Sequence, residues 1–399
     1  MSYGRACFLP LLSIALFVST ATCSGESDND KQTADRRTAD GRIVHPIDDK
    51  LPHKEVDPVV VNREDRCASD KEYVTQVREA VEQQNTGRRL DLNLPAHNHV
   101  EVASLDENTL LVLNTKPRAN ALWQYDLRKD RAIKVAGRGK GPGELDFATD
   151  LAMQGDTVYV AQSSMQIDAF FCGSGPCQYE RTIHTGFQLR NLASRADGKF
   201  VAMGLLPLQK DRAELEALEG ALQVLTPKGE VIESFGETYD TDAWLIKSYY
   251  KRGANVDYGK GTNTYALSRK SLPYLYLYGK SGSIEKVYKI EYYEENITNY
   301  NPETKRRGTP DQDRFSRILR IKILESGPLF LTSETVLRES PKTEDVETHT
   351  VFDYYLINSV NECLIDSEDK ITISGGEIIL TNEHILRIQE GSMYYINKY

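Results

Sequence analysis

Tryptophan, cysteine, histidine and methionine are all scarce in this sequence, which holds 2 Trp, 6 Cys, 7 His and 5 Met among 399 residues. Positive charge is also in deficit, because 59 acidic residues face 49 basic ones and leave a formal charge of −10. That balance argues against nucleic acid or an anionic membrane as the main partner. The most apolar stretch, residues 8–18, is too short to span a bilayer as a helix.

The motifs of several large enzyme classes are missing as well. No G-x-S-x-G nucleophile elbow occurs, and no acidic loop has the spacing of an EF-hand calcium site. The Gly-rich run at residues 137–143 is not followed by Gly-Lys-Ser or Gly-Lys-Thr, which excludes a phosphate-binding loop there. The composition is otherwise that of a globular protein, with 40% hydrophobic and 27% charged residues. The sequence therefore indicates a folded protein without an evident catalytic constellation.

The first residues have the pattern of an export signal. Residues 1–23 combine a basic residue, the apolar segment 8–18 and small residues leading to Cys23. Cys23 resembles the lipidated cysteine of bacterial lipoprotein signals, although two neighbouring threonines depart from the usual pattern. Plain secretion and a buried N-terminal strand or helix are the alternatives. Residues 24–66 carry 11 acidic and 8 basic side chains and are predicted to form a flexible tether.

The other cysteines suit an oxidising, exported location. Cys172 and Cys177 lie in the segment FCGSGPC, where a tight loop between two strands would bring them within disulfide distance. A metal site is the rival interpretation, but no second Cys or His pair of suitable spacing follows. Cys67 and Cys363 are predicted to form a second disulfide if the N-terminal segment docks on the last part of the chain.

Residues 67–94 connect the tether to the main domain. Residues 69–84 predict a short docking helix, because Ser69 and Glu72 match a capping box and three valines share one face. The segment 88–94 predicts a strand that would close a ring by pairing with the C-terminal strands. Such a closure removes exposed sheet edges.

From residue 95 onward, short alternating apolar runs are separated by turn residues, which predicts a sandwich, barrel or propeller. Three segments, beginning HVEVAS, ATDLAM and LRNLAS, share one layout of strands and turns. Their period is roughly 45–50 residues, which is typical of four-stranded propeller blades. Residues 95–399 would then hold about six such blades.

The second half of the chain is less regular. The Tyr-rich tracts LPYLYLYG and HTVFDYYLIN predict buried strands, with a stacking platform for sugars or peptides as the alternative. Residues 208–220 predict a helical excursion, and residues 291–313 predict a long loop or a weakly patterned strand. A split chain is the alternative fold, with a three-blade-like domain to about residue 240 and a separate Tyr-rich β domain after it.

One segment carries a family resemblance. Residues 137–162, GRGKGPGELDFATDLAMQGDTVYVAQ, resemble the inter-blade signature of bacterial six-bladed β-propellers related to NHL-repeat proteins. The resemblance is specific over this segment and vague after residue 240. It implies an all-β fold, a six-bladed β-propeller, in an exported lipoprotein preceded by a signal, a tether and a short helix.

The same segment is predicted to turn the chain from the outer strand of one blade to the inner strand of the next. Glycine permits positive φ and close backbone approach in such a turn, and proline stiffens it. Leu145 and Phe147 are expected to pack between the blades. The predicted turn glycines are Gly137, Gly139, Gly141 and Gly143.

His97 and His99 are the candidates for a metal site, since residues two apart on a strand face the same side. His184, His349 and His384 lie in other predicted blades. Some NHL-like propellers hold a catalytic metal on channel histidines, so the resemblance ties calcium or zinc at the channel mouth to an enzyme hypothesis. Scattered surface histidines are the simpler interpretation, and no other cofactor is predicted.

The leading hypothesis is a non-enzymatic, cell-envelope propeller, periplasmic or in the outer membrane, that binds a ligand or a partner protein on one face of the disc. Its partner would be a protein or a small molecule, not nucleic acid, and a lipid anchor would be its only contact with the membrane. The alternatives are a propeller lyase or hydrolase with a metal site at the channel mouth and a structural component of an envelope complex. Fold alone does not choose between them, because propellers host many unrelated activities.

Overall fold

Strands make up the regular structure of the part of the chain that is described, and they are numbered β1 to β29. The N-terminal strands are β1 (Arg36–Arg37), β2 (Ile43–Val44), β3 (Val59–Val61) and β4 (Arg88–Leu90). The structure, a computed structural model, describes residues 36–37, 43–44, 56–62, 75, 87–92, 100–173, 175–205, 220–236, 254–269, 272–290, 299–301, 306–308, 314–324, 329–339, 347–357, 362–367, 377–381, 384–389 and 392–398.

Each of the first three blades is a sheet of four consecutive antiparallel strands. Blade 1 comprises β5 (Val100–Asp106), β6 (Thr109–Asn114), β7 (Ala121–Asp126) and β8 (Arg131–Gly137). Blade 2 comprises β9 (Ala148–Gln154), β10 (Thr157–Gln162), β11 (Gln166–Phe171) and β12 (Gln178–His184). Blade 3 comprises β13 (Gln188–Ser194), β14 (Phe200–Leu205), β15 (Leu222–Leu225) and β16 (Val231–Phe235).

Burial along these strands explains their sequences. The second strands, TLLVLN in β6 and TVYVAQ in β10, are buried along nearly their whole length and are therefore continuous apolar runs. The fourth strands, β8 and β12, are mostly exposed and carry charged residues. Polar outer strands protect the blade edges from pairing with other chains.

Two further blades follow from strands that are again consecutive in the chain. Blade 4 comprises β17 (Ala254–Gly259), β18 (Thr264–Arg269), β19 (Tyr274–Tyr278) and β20 (Ile284–Ile290), and β3 adds a fifth, parallel strand at its edge. Blade 5 comprises β23 (Arg314–Ile323), β24 (Leu329–Glu339), β25 (Glu347–Ile357) and β26 (Glu362–Ser367). Residues 24–66, predicted as a flexible tether, thus contribute a strand whose Val61 is fully buried.

The last sheet is a composite of both ends of the chain. It joins β27 (Glu377–Leu380), β28 (His384–Gln389) and β29 (Ser392–Lys398) to the N-terminal strand β4. Strand β4 pairs antiparallel with β29, with Leu90 opposite Met393. The β-propeller fold is confirmed, but the expectation of six blades within residues 95–399 is wrong. The described residues of that range supply five blades of consecutive strands, and the remaining sheet needs a strand from before residue 95. The prediction that residues 88–94 pair with the C-terminal strands is confirmed for β4.

A small sheet lies apart from the blades. It has the order β1-β2-β21-β22, where β21 is Asn299–Asn301 and β22 is Arg306–Gly308. Residues 291–313, predicted as a loop or a weakly patterned strand, therefore contain two short strands. These strands pair with the N-terminal ones because neither pair alone would be stable.

The core is continuous across the boundary where a split chain was considered. One buried cluster joins Val201 and Met203 of blade 3 to Tyr265, Tyr276 and Val287 of blade 4. Two separate domains on either side of residue 240 are therefore wrong. The tyrosines of LPYLYLYG are buried in this core, which makes an exposed stacking platform at that tract wrong too.

Several predicted segments lie outside the described residues. These are the signal and Cys23, most of the helix at 69–84, and the excursion at 208–220, of which only Gly220 is described. Within the described part, no helix is long and apolar enough to cross a membrane.

Candidate functional site

A central channel runs between the inner strands of the five blades, β5, β9, β13, β17 and β23, which are neighbours in that order. The channel holds two adjoining cavities of about 390 Å³ and about 120 Å³, here named the wide cavity and the narrow cavity. All five inner strands line both of them. A cavity of this size accommodates a small organic ligand.

A ring of polar side chains surrounds the narrow cavity, one from each inner strand. Five different strands thus place hydrogen-bonding or charged groups at one level of the channel. Such convergence in a concave site is typical of ligand binding. The ring consists of Glu101, Asp150, Asn191, Asn255 and Arg320.

The cationic member of the ring joins blade 5 to blade 1. The Arg320 guanidinium donates to the Glu101 carboxylate and to the Val100 carbonyl oxygen. The two side chains are only 16% and 31% exposed, so water screens this pair less than a surface pair.

The second carboxylate of the ring, that of Asp150, is held by amide groups. Asp150 accepts hydrogen bonds from the Leu192 and Leu151 amides, each at 2.8 Å, and from the Asn191 amide nitrogen at 3.4 Å. Burial and the Glu101 carboxylate raise the pKa of Asp150 to about 8, against the opposing effect of these donors. Gain or loss of the Asp150 proton near neutral pH therefore changes the charge of the channel.

The wide cavity exists because small residues line one side of it. In blades 1 to 3, the residue two positions after the ring residue in the sequence is alanine: Ala103, Ala152 and Ala193. On blades 4 and 5 the corresponding positions are Asp257 and Lys322, whose charged atoms are 3.5 Å apart. The cavity thus has an apolar wall facing a charged one.

The predicted histidines do not form a cluster within the described residues. His97 and His99 lie outside those residues, and His184 is exposed. His349 belongs to β25, and His384 is fully buried beside the wide cavity. No group of three His, Cys, Asp or Glu residues suited to a metal ion occurs in the described part of the chain.

The Gly-rich segment lies between the outer strand of blade 1 and the inner strand of blade 2. The Leu145 amide donates to the Gly137 carbonyl, and the Gly141 amide donates to the Glu144 carboxylate at 2.7 Å. Of the four predicted glycines, only Gly143 has a positive φ, 74°. A Cβ on Gly139 would overlap the Glu144 carboxylate, and Gly141 has the same neighbour.

Two side chains follow the glycines, and the sequence-based expectation holds for one of them. Leu145 is fully buried in the core between blades 1 and 2. The expectation that Phe147 packs between blades is wrong, because its side chain is 50% exposed. Phe147 has a φ of 60°, which turns it away from the core that its neighbour enters.

The predicted disulfide between Cys172 and Cys177 is confirmed, with its Cα atoms 4.0 Å apart. The disulfide loop contacts blade 1, where the Cys177 amide donates to Gln124 Oε1 at 2.8 Å. Cys363 is also disulfide-bonded, and its partner lies outside the described residues, as does Cys67.

The polar ring was not predicted, although the sequence contains a signal for it. The first three inner strands share a polar residue, an apolar residue and alanine, read as EVA, DLA and NLA. The same positions read NVD in blade 4 and RIK in blade 5. Alternation alone does not tell which face of a strand lines a channel, so the pattern is recognisable only when the blades are superimposed.

No protein-family model matches the sequence, and no curated protein matches it. Two solved bacterial structures resemble the fold, each with a TM-score of 0.51. A member of the DUF4221 family from Bacteroides vulgatus is 11% identical, and the match covers 78% of this chain and 93% of that one. A Bacteroides fragilis protein whose name describes it as exported is 10% identical, with 82% and 88% covered. At these identities the likeness shows the fold alone.

Proposed function

We propose that the protein is an exported β-propeller that binds a small polar ligand in its central channel. The observation that carries the proposal is the polar ring, in which five separate strands place a charged or amide side chain around one cavity. The ring side chains are held in place by hydrogen bonds to protein groups, such as those from Asn255 to the Ser268 hydroxyl and the Ile318 carbonyl, so they form a preorganised polar surface. A ligand with hydroxyl, carboxylate or amine groups would supply partners for the ring, while the alanine wall would take its apolar part.

The proposal includes a sixth blade, formed by the composite sheet. Two of its residues, Ile379 and Thr381, line the channel cavities together with residues of the five other blades. Its core is shared with blade 1, where Leu386 and Ile388 join Val100 and Leu110 in one buried cluster. A ring closed by N- and C-terminal strands ties the two ends of the chain together and leaves only short edges at the outer strands.

Export and anchoring are also part of the proposal. The signal-like residues 1–23 and the disulfide at Cys172 favour a location outside the cytoplasm. One structural neighbour is named as exported. We propose that Cys23 carries a lipid and that Cys67 is the partner of Cys363, which would fasten the N-terminal segment to blade 5.

The ligand proposal is tested by a thermal-shift screen of the purified mature protein with millimolar amino acids, dicarboxylates, monosaccharides and their amino derivatives. A compound that binds in the channel should raise the melting temperature, and Lys322→Ala should weaken its binding by about tenfold, the loss of one charged hydrogen bond. Lys129→Ala is the control, since Lys129 pairs with Asp126 at 2.9 Å on an outer turn of blade 1. Absence of any shift, or equal weakening by both variants, would refute channel binding.

The metal-dependent lyase or hydrolase, the alternative from the sequence, has no specific observation in its favour. His97 and His99 lie outside the described residues, and the described ones contain no metal-like cluster. The structural-component hypothesis depends on residues 208–220, which are likewise outside the described part apart from Gly220.

A further inference from the structure

One hydroxyl group in the wide cavity differs from the others because an imidazole contacts it. Ser104 and Thr381 both line this cavity, and the Ser104 Oγ lies 2.8 Å from the Nδ1 atom of His384. The His384 side chain is fully buried between blade 1 and the composite sheet. A buried imidazole thus contacts the hydroxyl of a residue that lines the wide cavity.

The hydrogen bonds around His384 fix its tautomer. The Nε2 atom lies 3.1 Å from the Glu107 carbonyl oxygen, which can only accept, so Nε2 carries a proton. In the neutral ring Nδ1 is then the acceptor, and the Ser104 hydroxyl donates to it. The backbone carbonyl holds the ring in the orientation that a general base requires.

Thr381 completes the arrangement. Its Oγ1 accepts a hydrogen bond from the His384 amide at 3.0 Å and lies 2.6 Å from the Ser104 Oγ. The Thr381 hydroxyl has two acceptors within reach, the His384 carbonyl oxygen at 3.4 Å and the nearer Ser104 Oγ. Because the Ser104 proton points to His384, Thr381 is the donor in the shorter contact. The Ser104 oxygen therefore receives one hydrogen bond and gives one to a base.

The other serine of the same cavity has a different environment. The Ser194 hydroxyl donates to the Met153 carbonyl oxygen, which cannot take up its proton. The two serines share a cavity but differ in the group behind them. Ser194 is also the more buried of the two, at 8% exposed, so the role of the imidazole is tested by changing His384 itself.

We propose that Ser104 is a base-activated nucleophile that reacts with small acyl or phosphoryl electrophiles entering the wide cavity. With an ester, the Ser104 Oγ bonds to the carbonyl carbon while its proton passes to His384 Nδ1. The ester C–O bond then breaks, and the leaving alkoxide takes that proton. Water hydrolyses the acyl-serine by the same route in reverse. This inference shares the cavity with the proposed ligand site but does not depend on it.

The test is the reaction of the purified mature protein with diisopropyl fluorophosphate. The Ser104 Oγ would bond to phosphorus, the P–F bond would break, and the hydroxyl proton would leave through His384 with fluoride. We expect one diisopropylphosphoryl group in the intact mass, mapped to Ser104 and not to Ser194. Ser104→Ala should abolish the adduct, and His384→Gln should slow its formation by about 100-fold, the usual contribution of a general base.

Ser164→Ala is the control, because the Ser164 hydroxyl also donates to a backbone carbonyl but does not line the cavity. Its labelling rate should equal that of the unsubstituted protein. Should His384→Gln fail to fold, the mapped serine and the pH profile decide, since a base-dependent reaction slows as the imidazole becomes protonated. No adduct on the folded protein, or labelling of Ser194 as fast as Ser104, would overturn the proposal.

Discussion

Replacing Asp150 by asparagine should change how the stability of the protein depends on pH. The pKa of Asp150 is raised from 3.8 to about 8, first by burial and then by the Glu101 carboxylate. A carboxyl group whose pKa is higher in the folded state binds its proton more tightly there. Its ionisation therefore lowers the free energy of unfolding as the pH rises.

The pH window follows from the two pKa values. Below about pH 4 the group is protonated in both states and has no effect on stability. Between about pH 4 and about pH 8 only the unfolded chain ionises, so stability falls, and above about pH 8 the loss is complete. The full shift corresponds to about 6 kcal/mol, but Asp150 lines a channel cavity, so we expect about 1–3 kcal/mol.

Asparagine removes the charge but retains only one acceptor oxygen for the Leu151 and Leu192 amides. Losing one of these hydrogen bonds costs about 1 kcal/mol at any pH. We therefore expect Asp150→Asn to be slightly less stable than the unsubstituted protein at about pH 5 and more stable, by up to about 2 kcal/mol, at about pH 9.

Urea denaturation at the two pH values measures this difference. The matched control is Asp257→Asn, because Asp257 also lines the channel but contacts Lys322 and accepts the Ile323 amide at 2.7 Å. That variant should lose stability at both pH values. An Asp150→Asn variant whose stability differs from the unsubstituted protein by the same amount at both values would refute the reasoning.

Two further predictions concern the ring and the Gly-rich turn. Arg320→Met should lower the free energy of unfolding, measured in urea, by about 2–4 kcal/mol, because it leaves the half-buried Glu101 carboxylate without its cation. Adding Glu101→Gln should recover part of the loss. Additive losses would show that the two side chains are not coupled. Gly143→Ala should lower the free energy of unfolding by about 1–3 kcal/mol, since its φ is 74° and a Cβ would lie 2.9 Å from the Tyr179 Cβ. Gly175→Ala is the control and should be nearly neutral, because open space surrounds Gly175. Equal losses in the two variants would contradict this account.

The strands were predictable from local pattern, and most of the blades with them. Apolar runs such as TLLVLN and TVYVAQ, bounded by turn residues, correspond to β6 and β10. The short FCGSGPC loop was sufficient to predict its disulfide, because few residues separate the two cysteines. The strands and this disulfide depend on residues that are close together in the chain, so a single sequence is enough to predict them.

The strands that were missed show where local pattern fails. β17 (ANVDYG) and β23 (RFSRILRIKI) alternate polar and apolar residues, but their polar members are Asn, Asp, Arg and Lys, and most of these residue types are uncommon in strands. Their polar residues make sense only because they line a channel. The polar residues that form the candidate site are thus the reason why these two strands were not predicted.

The sequence by itself determined the class of fold, the blade period, and the turn between blades 1 and 2. The pairing of residues 88–94 with the C-terminal strands was predicted, and the structure confirms it for β4 and β29. Only the tertiary structure decided that β3 joins blade 4, because β3 and β20 are about 230 residues apart and no local pattern specifies a pairing at that distance. It also decided the site. Glu101, Asp150, Arg320 and Ser104 belong to no sequence motif, and His384 is one of several scattered histidines. The fold places the first three around one cavity and brings Ser104 Oγ within 2.8 Å of His384 Nδ1.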